Sequence, residues 1–132
     1  MRKIIAISQD DYWLKAIHAA VAGLGKVQIA SCDDSLRECL DRLPAVDPQA
    51  LLLVDVFSKE NIDKIVSGLY QAGWRFIVVV AADPSLKEAI RVIKAQGFDY
   101  WKKTYTIPDI ETEIRKCLEE IAGVMERAGS SE

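Results

Sequence analysis

Residues 51–56, Leu51-Leu52-Leu53-Val54-Asp55-Val56, set a single aspartate near the end of an otherwise unbroken apolar run. A run this short and this rich in branched aliphatics predicts a strand covered on both faces, because a half-exposed strand alternates apolar with polar residues. Asp55 then stands where the strand leaves the core, at the end from which loops and ligands are reached.

Outward from this run, Ile4 to Ile7 and Phe76 to Ala82 have the same character. Two weaker strands are expected at Val27 to Ala30, after Gly23-Leu24-Gly25, and around Phe98 to Trp101, after Gly97. Between them lie apolar residues at helical spacing: Ile17, Val21 and Leu24; Leu36, Leu40 and Leu43; Ile62, Ile65, Val66 and Leu69; Leu86, Ile90 and Ile93; and Ile110, Ile114, Leu118, Ile121 and Met125. Gly25 and Gly97 fall where helices should stop, and Pro44 and Pro48 separate the second helix from the third strand. Asp83-Pro84 reads as an N-cap with a first-turn proline, and Thr106-Ile107-Pro108-Asp109 as an N-cap with an acidic first turn.

Apolar strands alternating with helices require a parallel sheet with helices on both faces, and right-handed crossovers leave few topologies. The expected fold is therefore α/β: a doubly wound, flavodoxin-like (βα)5 unit with a five-stranded parallel sheet in the order 2-1-3-4-5. It should occupy residues 1–125, with 126–132 a polar tail or the start of a linker. In such sheets the functional crevice lies at the carboxyl ends of the strands.

The 132 residues, half of them apolar, suit one domain. A net charge of −3 gives no basic field for nucleic acid or anionic lipid. Three scattered cysteines, Cys32, Cys39 and Cys117, read as reduced thiols, and the apolar start at Ile4 to Ile7 is too short for a signal peptide or a membrane span. A cytoplasmic protein is expected. Gly23-Leu24-Gly25 closes a helix instead of opening one after a strand, so it is no dinucleotide loop. His18 has no carboxylate or second histidine at helical spacing and is read as structural. The sequence contains no zinc-ligand pair and no nucleophilic Gly-x-Ser-x-Gly setting, and no enzyme activity is expected.

The strand ends carry Ser8, Gln9, Asp10 and Asp11; Asp55; Ala81, Ala82 and Asp83; and Tyr100 to Thr104. Leu51 to Val56, Val78 to Ala82 and Gly97 to Lys103 resemble the third, fourth and fifth strands of bacterial response-regulator receiver domains, and the resemblance runs nearly the length of the chain. It implies a two-component (phosphorelay) signalling role, with Asp55 as phosphoacceptor, Lys103 as the lysine of the phosphate site, and Ala81 and Tyr100 at the switch positions. It also implies a Mg²⁺ site built from an acidic pair, and protein contacts through the last two helices and the fifth strand, with a histidine kinase or an output domain as partner.

Several positions depart from that pattern. Ser8 and Gln9 stand where the acidic pair belongs, Ala81 replaces a Ser or Thr, Thr104 replaces a proline, and Ser58 and Lys59 interrupt the loop after Asp55. Phosphoryl transfer to a carboxylate brings anion against anion and depends on positive charge aimed at the transferring oxygens. Mg²⁺ supplies much of it through one or two carboxylates and waters. Asp55 beside a neutral Ser and Gln should hold the ion weakly, and Asp10 is the candidate second ligand. Asp10 and Asp11 read either as a displaced acidic pair or as N-caps of the first helix. The expectation is a pseudo-receiver with weakened or lost phosphorylation. A working phosphoacceptor on Asp55 and a different doubly wound small-molecule binder are the alternatives; the last would need a phosphate-cradling glycine loop that the sequence does not contain.

Overall fold

The computed structural model describes residues 3–24, 26–31, 41, 43–56 and 61–130. In chain order the elements are β1 (Lys3–Ser8), α1 (Asp11–Val21), β2 (Lys26–Ser31), β3 (Leu51–Val56), α2 (Ile62–Ala72), β4 (Phe76–Ala81), α3 (Leu86–Lys94), β5 (Asp99–Lys102) and α4 (Ile107–Ser130). All strand pairs are parallel, and the sheet runs β2-β1-β3-β4-β5. Of the apolar residues Leu36, Leu40 and Leu43 expected on the second helix, Leu43 is described, packed against the core. Gly25, Cys32, Cys39, Ser58 and Lys59 also lie outside the described residues.

Strand alternation divides the core in two. Ile4, Ala6, Leu51, Leu53, Val78 and Val80 face α1 and α4, meeting Trp13, Leu14, Ile17, Ile114, Cys117 and Ile121. Ile5, Ile7, Leu52, Val54, Ile77 and Val79 face α2 and α3, meeting Ile62, Val66, Leu69 and Val92. The same parity carries on to the strand ends. Ser8 and Asp55 continue the α1/α4 series, and among the described residues these two are the buried polar ones beside the core.

Helix boundaries differ from the sequence expectation, beginning with α1, which ends at Val21 with Ala22 as C-cap and Gly23 left-handed at φ 95°, before Leu24 and the expected stop at Gly25. α3 is capped by Ser85, whose hydroxyl accepts from the Glu88 amide at 3.1 Å, and not by Asp83 with Pro84 in the first turn. Ser85-x-x-Glu88 is a capping-box spacing, which outcompetes an Asp-Pro pair two residues earlier. α3 ends with the Gln96 amide donating to the Ile93 carbonyl and the Gly97 amide to that of Val92, a Schellman arrangement. The left-handed residue is Gln96, at φ 82°, and not Gly97. Gly97 is needed for a different reason: a Cβ there would lie 2.5 Å from Val92 Cγ1 and 2.9 Å from its carbonyl oxygen. Finally, the stretch expected as a tail from 126 is helical through Ser130, since Glu126, Arg127 and Ala128 are good helix formers that propagate α4.

Candidate functional site

At the carboxyl ends of β1 and β3, Ser8 and Asp55 emerge side by side on the α1/α4 face. The Ser8 hydroxyl donates to Asp55 Oδ2 at 2.6 Å and accepts from the Asp10 amide at 2.9 Å. Ser8 therefore supplies a hydrogen bond to the aspartate where an acidic pair would supply charge. Gln9, next along, is exposed.

Asp10 carries out both of the roles that the sequence left open. One carboxylate oxygen caps α1, accepting from the Trp13 amide at 3.1 Å, while the other accepts from the Lys103 ammonium at 2.9 Å and from the Tyr105 hydroxyl at 3.0 Å. Asp11 is the first residue of α1. Burial works against the charge of Asp10, but the bonds from Lys103, the Trp13 amide and Tyr105 outweigh it and hold the carboxyl below the usual carboxylate range.

Lys103 follows directly on β5, held by its amide to the Ala81 carbonyl at 2.8 Å. Its neighbour Lys102 is exposed, whereas the Lys103 side chain is only 8% exposed and reaches inward. The ammonium lies 2.8 Å from Asp55 Oδ2 as well as 2.9 Å from Asp10 Oδ2, so one cation joins two carboxylates. The rings of Trp13 and Tyr105 flank it at 5.6 and 5.2 Å to their centroids, within cation–π range. Desolvation would lower its pKa, yet the bonds to Asp55 and Asp10 raise it well above the usual lysine range. Asp55 itself is 1% exposed.

Tyr105 was not anticipated. An aromatic two residues beyond Lys103, on the same loop, was the available signal. Its ring is half exposed and stands 6.0 Å from that of Tyr12, so two tyrosines rim the crevice.

The switch positions sit on the other face of the sheet. Ala81 is buried at the end of β4 and its side chain offers no hydroxyl. Tyr100 packs its ring against the core under α2 and α3. Its hydroxyl accepts from the Ser85 amide at 3.2 Å and donates to Glu88 Oε1 at 2.7 Å. It thereby stands inside the capping box, linking its two ends. Burial and the bond to Glu88 push the Tyr100 hydroxyl up to about 12.

As a metal site the donor set does not fit Mg²⁺. The ion requires near-octahedral oxygen coordination. Here the two nearby carboxylates are already bridged by an ammonium, which the ion would have to displace.

The backbone closely follows solved structures. A CheY-like response-regulator receiver domain protein from Methanospirillum hungatei JF-1 superposes at TM-score 0.72 and 18% identity, over 93% of this chain and 98% of that one. The fold is that of response-regulator receiver domains. A response regulator from Thermotoga maritima matches this receiver fold at TM-score 0.71 and 18% identity, over 90% of this chain and 98% of its own. An atypical orphan response regulator, described as revealing a phosphorylation-independent regulatory mechanism, matches at TM-score 0.65 and 19% identity, over 89% and 95% of the two chains. No family model and no curated protein sequence matches the chain. Among the described residues no helix is long and apolar enough to cross a membrane.

Proposed function

We propose that this chain is a receiver-like signalling domain of a two-component (phosphorelay) system that acts through protein contacts, without enzyme activity, and whose Mg²⁺-dependent phosphorylation at Asp55 is weakened or lost. The observation that carries this reading is the engagement of Asp55. Its Oδ2 is held by both Ser8 and Lys103 in a position almost closed to solvent. A carboxylate attacks phosphorus through an oxygen lone pair, and at Oδ2 two donors already compete for that density, which weakens it as a nucleophile. Ala81 then supplies no hydroxyl for a transferred phosphoryl oxygen. The orphan regulator described as phosphorylation-independent gives a precedent for such a module on the same fold.

The contact surface proposed is α3, β5 and α4. Val92 is the buried residue of α3, while Leu86, Ile90 and Ile93 are exposed. Their i, i+4, i+7 spacing sets three large aliphatic side chains in one stripe turned away from the core. A histidine kinase or an output domain is the kind of partner that such a stripe would meet. On α4 Arg115 pairs locally with Glu111 at 2.9 Å, and the mixed charge of this helix reads as a solvated face.

The working-phosphoacceptor reading has one observation in its favour: Asp10 does bring a second carboxylate to the cation that Asp55 holds. Incubating the full chain with acetyl phosphate and Mg²⁺, followed by intact-mass measurement, decides between the two. The proposed reading expects the unmodified mass to persist. Stoichiometric gain of one phosphoryl group, abolished in Asp55→Asn, would establish the alternative.

A further inference from the structure

We infer that Lys103 is the resident cation of this crevice, taking the place of a divalent metal, and that removing its charge converts Asp10 and Asp55 into a divalent-cation site. The inference rests on the same Asp55 geometry as the proposed function and extends it to metal binding.

A metal between two carboxylates stabilises them by cancelling their mutual repulsion. The Lys103 ammonium sits at hydrogen-bond distance from one oxygen of each, 2.8 Å and 2.9 Å away. It is a compact point charge, and two of its three N–H bonds suffice for this bridge. The surroundings are built to keep it there. Its stem is packed, the faces of Trp13 and Tyr105 flank the charge, and its own amide is fixed to β4 through the Ala81 carbonyl. Asp10 is fixed as well, because its other oxygen is committed to the start of α1. Asp55 has its own second anchor in the Ser8 hydroxyl, so each acid is held by a group other than the cation between them.

The acids are distant in sequence but come from the ends of two neighbouring strands. Asp55 ends β3, and Asp10 lies two residues past the end of β1. Ser8 links the Asp10 amide to the Asp55 carboxylate, and the ammonium on the loop after β5 joins the two carboxylates themselves. A divalent ion approaching the wild-type crevice would meet the positive charge of Lys103 directly and would have to expel it. With an uncharged side chain at 103, both carboxylates would face each other uncompensated, and a divalent ion with its own waters would relieve them.

The test uses Mn²⁺ alone as the probe, on the full chain, read by the paramagnetic broadening of amide signals around residues 8–10 and 55 and by loss of the free Mn²⁺ resonance. The wild type should show no saturable binding. Lys103→Met should bind one equivalent, be competed by Mg²⁺, and lose the ion again in combination with Asp10→Asn. Lys103→Gln, which keeps a hydrogen-bond donor between the acids, carries the test if the methionine variant does not fold. Saturable binding by the wild type at these residues, or none by a folded neutral variant, would overturn the inference. No phosphoryl donor is involved, so this result and that of the acetyl phosphate experiment fail independently.

Discussion

Replacing Lys103 with methionine keeps the length of the stem and removes its charge. In the wild type the ammonium and the Asp55 carboxylate are both nearly closed to solvent, at 8% and 2% side-chain exposure. Deleting one partner of such a pair leaves a buried charge uncompensated and typically costs about 3–5 kcal/mol. Asp10 is 28% exposed, so water compensates most of its loss and that leg adds less than about 1 kcal/mol. Methionine recovers part of the packing on Trp13 and Tyr105, which offsets a fraction of the cost. The net expectation is about 3 kcal/mol, equivalent to a fall in Tm of about 10 °C for a chain of this size. Urea unfolding followed by tryptophan fluorescence measures it. Adding Asp55→Asn should then restore at least half of the loss, because the uncompensated charge is removed with its partner. A loss under about 1 kcal/mol, or a double variant no more stable than Lys103→Met, would show that the ion pair does not hold the crevice together.

Four further outcomes follow from the geometry. Ser8→Ala removes the donor to Asp55 and the acceptor of the Asp10 amide, and should cost about 2 kcal/mol in the same unfolding assay; a neutral change would mean water replaces the hydroxyl. Tyr100→Phe breaks both bonds to the capping box, so amide exchange at 85–88 should accelerate and stability should fall by about 1 kcal/mol, whereas unchanged exchange would separate Tyr100 from the start of α3. Gln96→Gly relieves the left-handed backbone and should gain about 0.5 kcal/mol, and a loss would show that the glutamine side chain itself contributes. For pH, the lowered pKa of Asp10 gives stability that is present above its ordinary value of about 3.9 and lost as pH falls through its lower folded value. The raised pKa of Lys103 gives stability that is present below about 10.4 and lost as pH rises through its higher folded value. Asp10→Asn should therefore flatten the acid limb of the stability profile and, by removing one of the two carboxylates that raise Lys103, shrink the alkaline limb without abolishing it.

The strands were legible because burial on both faces leaves an unmistakable apolar run, as in Leu51 to Val54 and Phe76 to Val80. Helix ends were harder, since competing local signals must be weighed: Asp83-Pro84 against Ser85-x-x-Glu88, Gly97 against Gln96. Gly97 was visible as a glycine, but its reason, contact with Val92 five residues earlier, belongs to the folded helix end. At the site, Asp55 and Lys103 were readable from position, and Asp10 from capping. What no local pattern could reveal is that Asp10 and Lys103, 93 residues apart in sequence, meet at one ammonium. Ser8 was read as a missing acid; its hydroxyl became a donor only once strand parity set it beside Asp55.

On the proposed reading Ser8 and Lys103 hold Asp55 closed, and its metal-dependent phosphorylation is weakened or lost. Adding beryllofluoride, an aspartyl-phosphate mimic, with Mg²⁺ to the isotope-labelled protein tests it most directly. The amide signals of Asp55, Ala81, Tyr100 and Lys103 should stay in place across the titration. Saturable shifts at these four residues, spreading to α3, would contradict it.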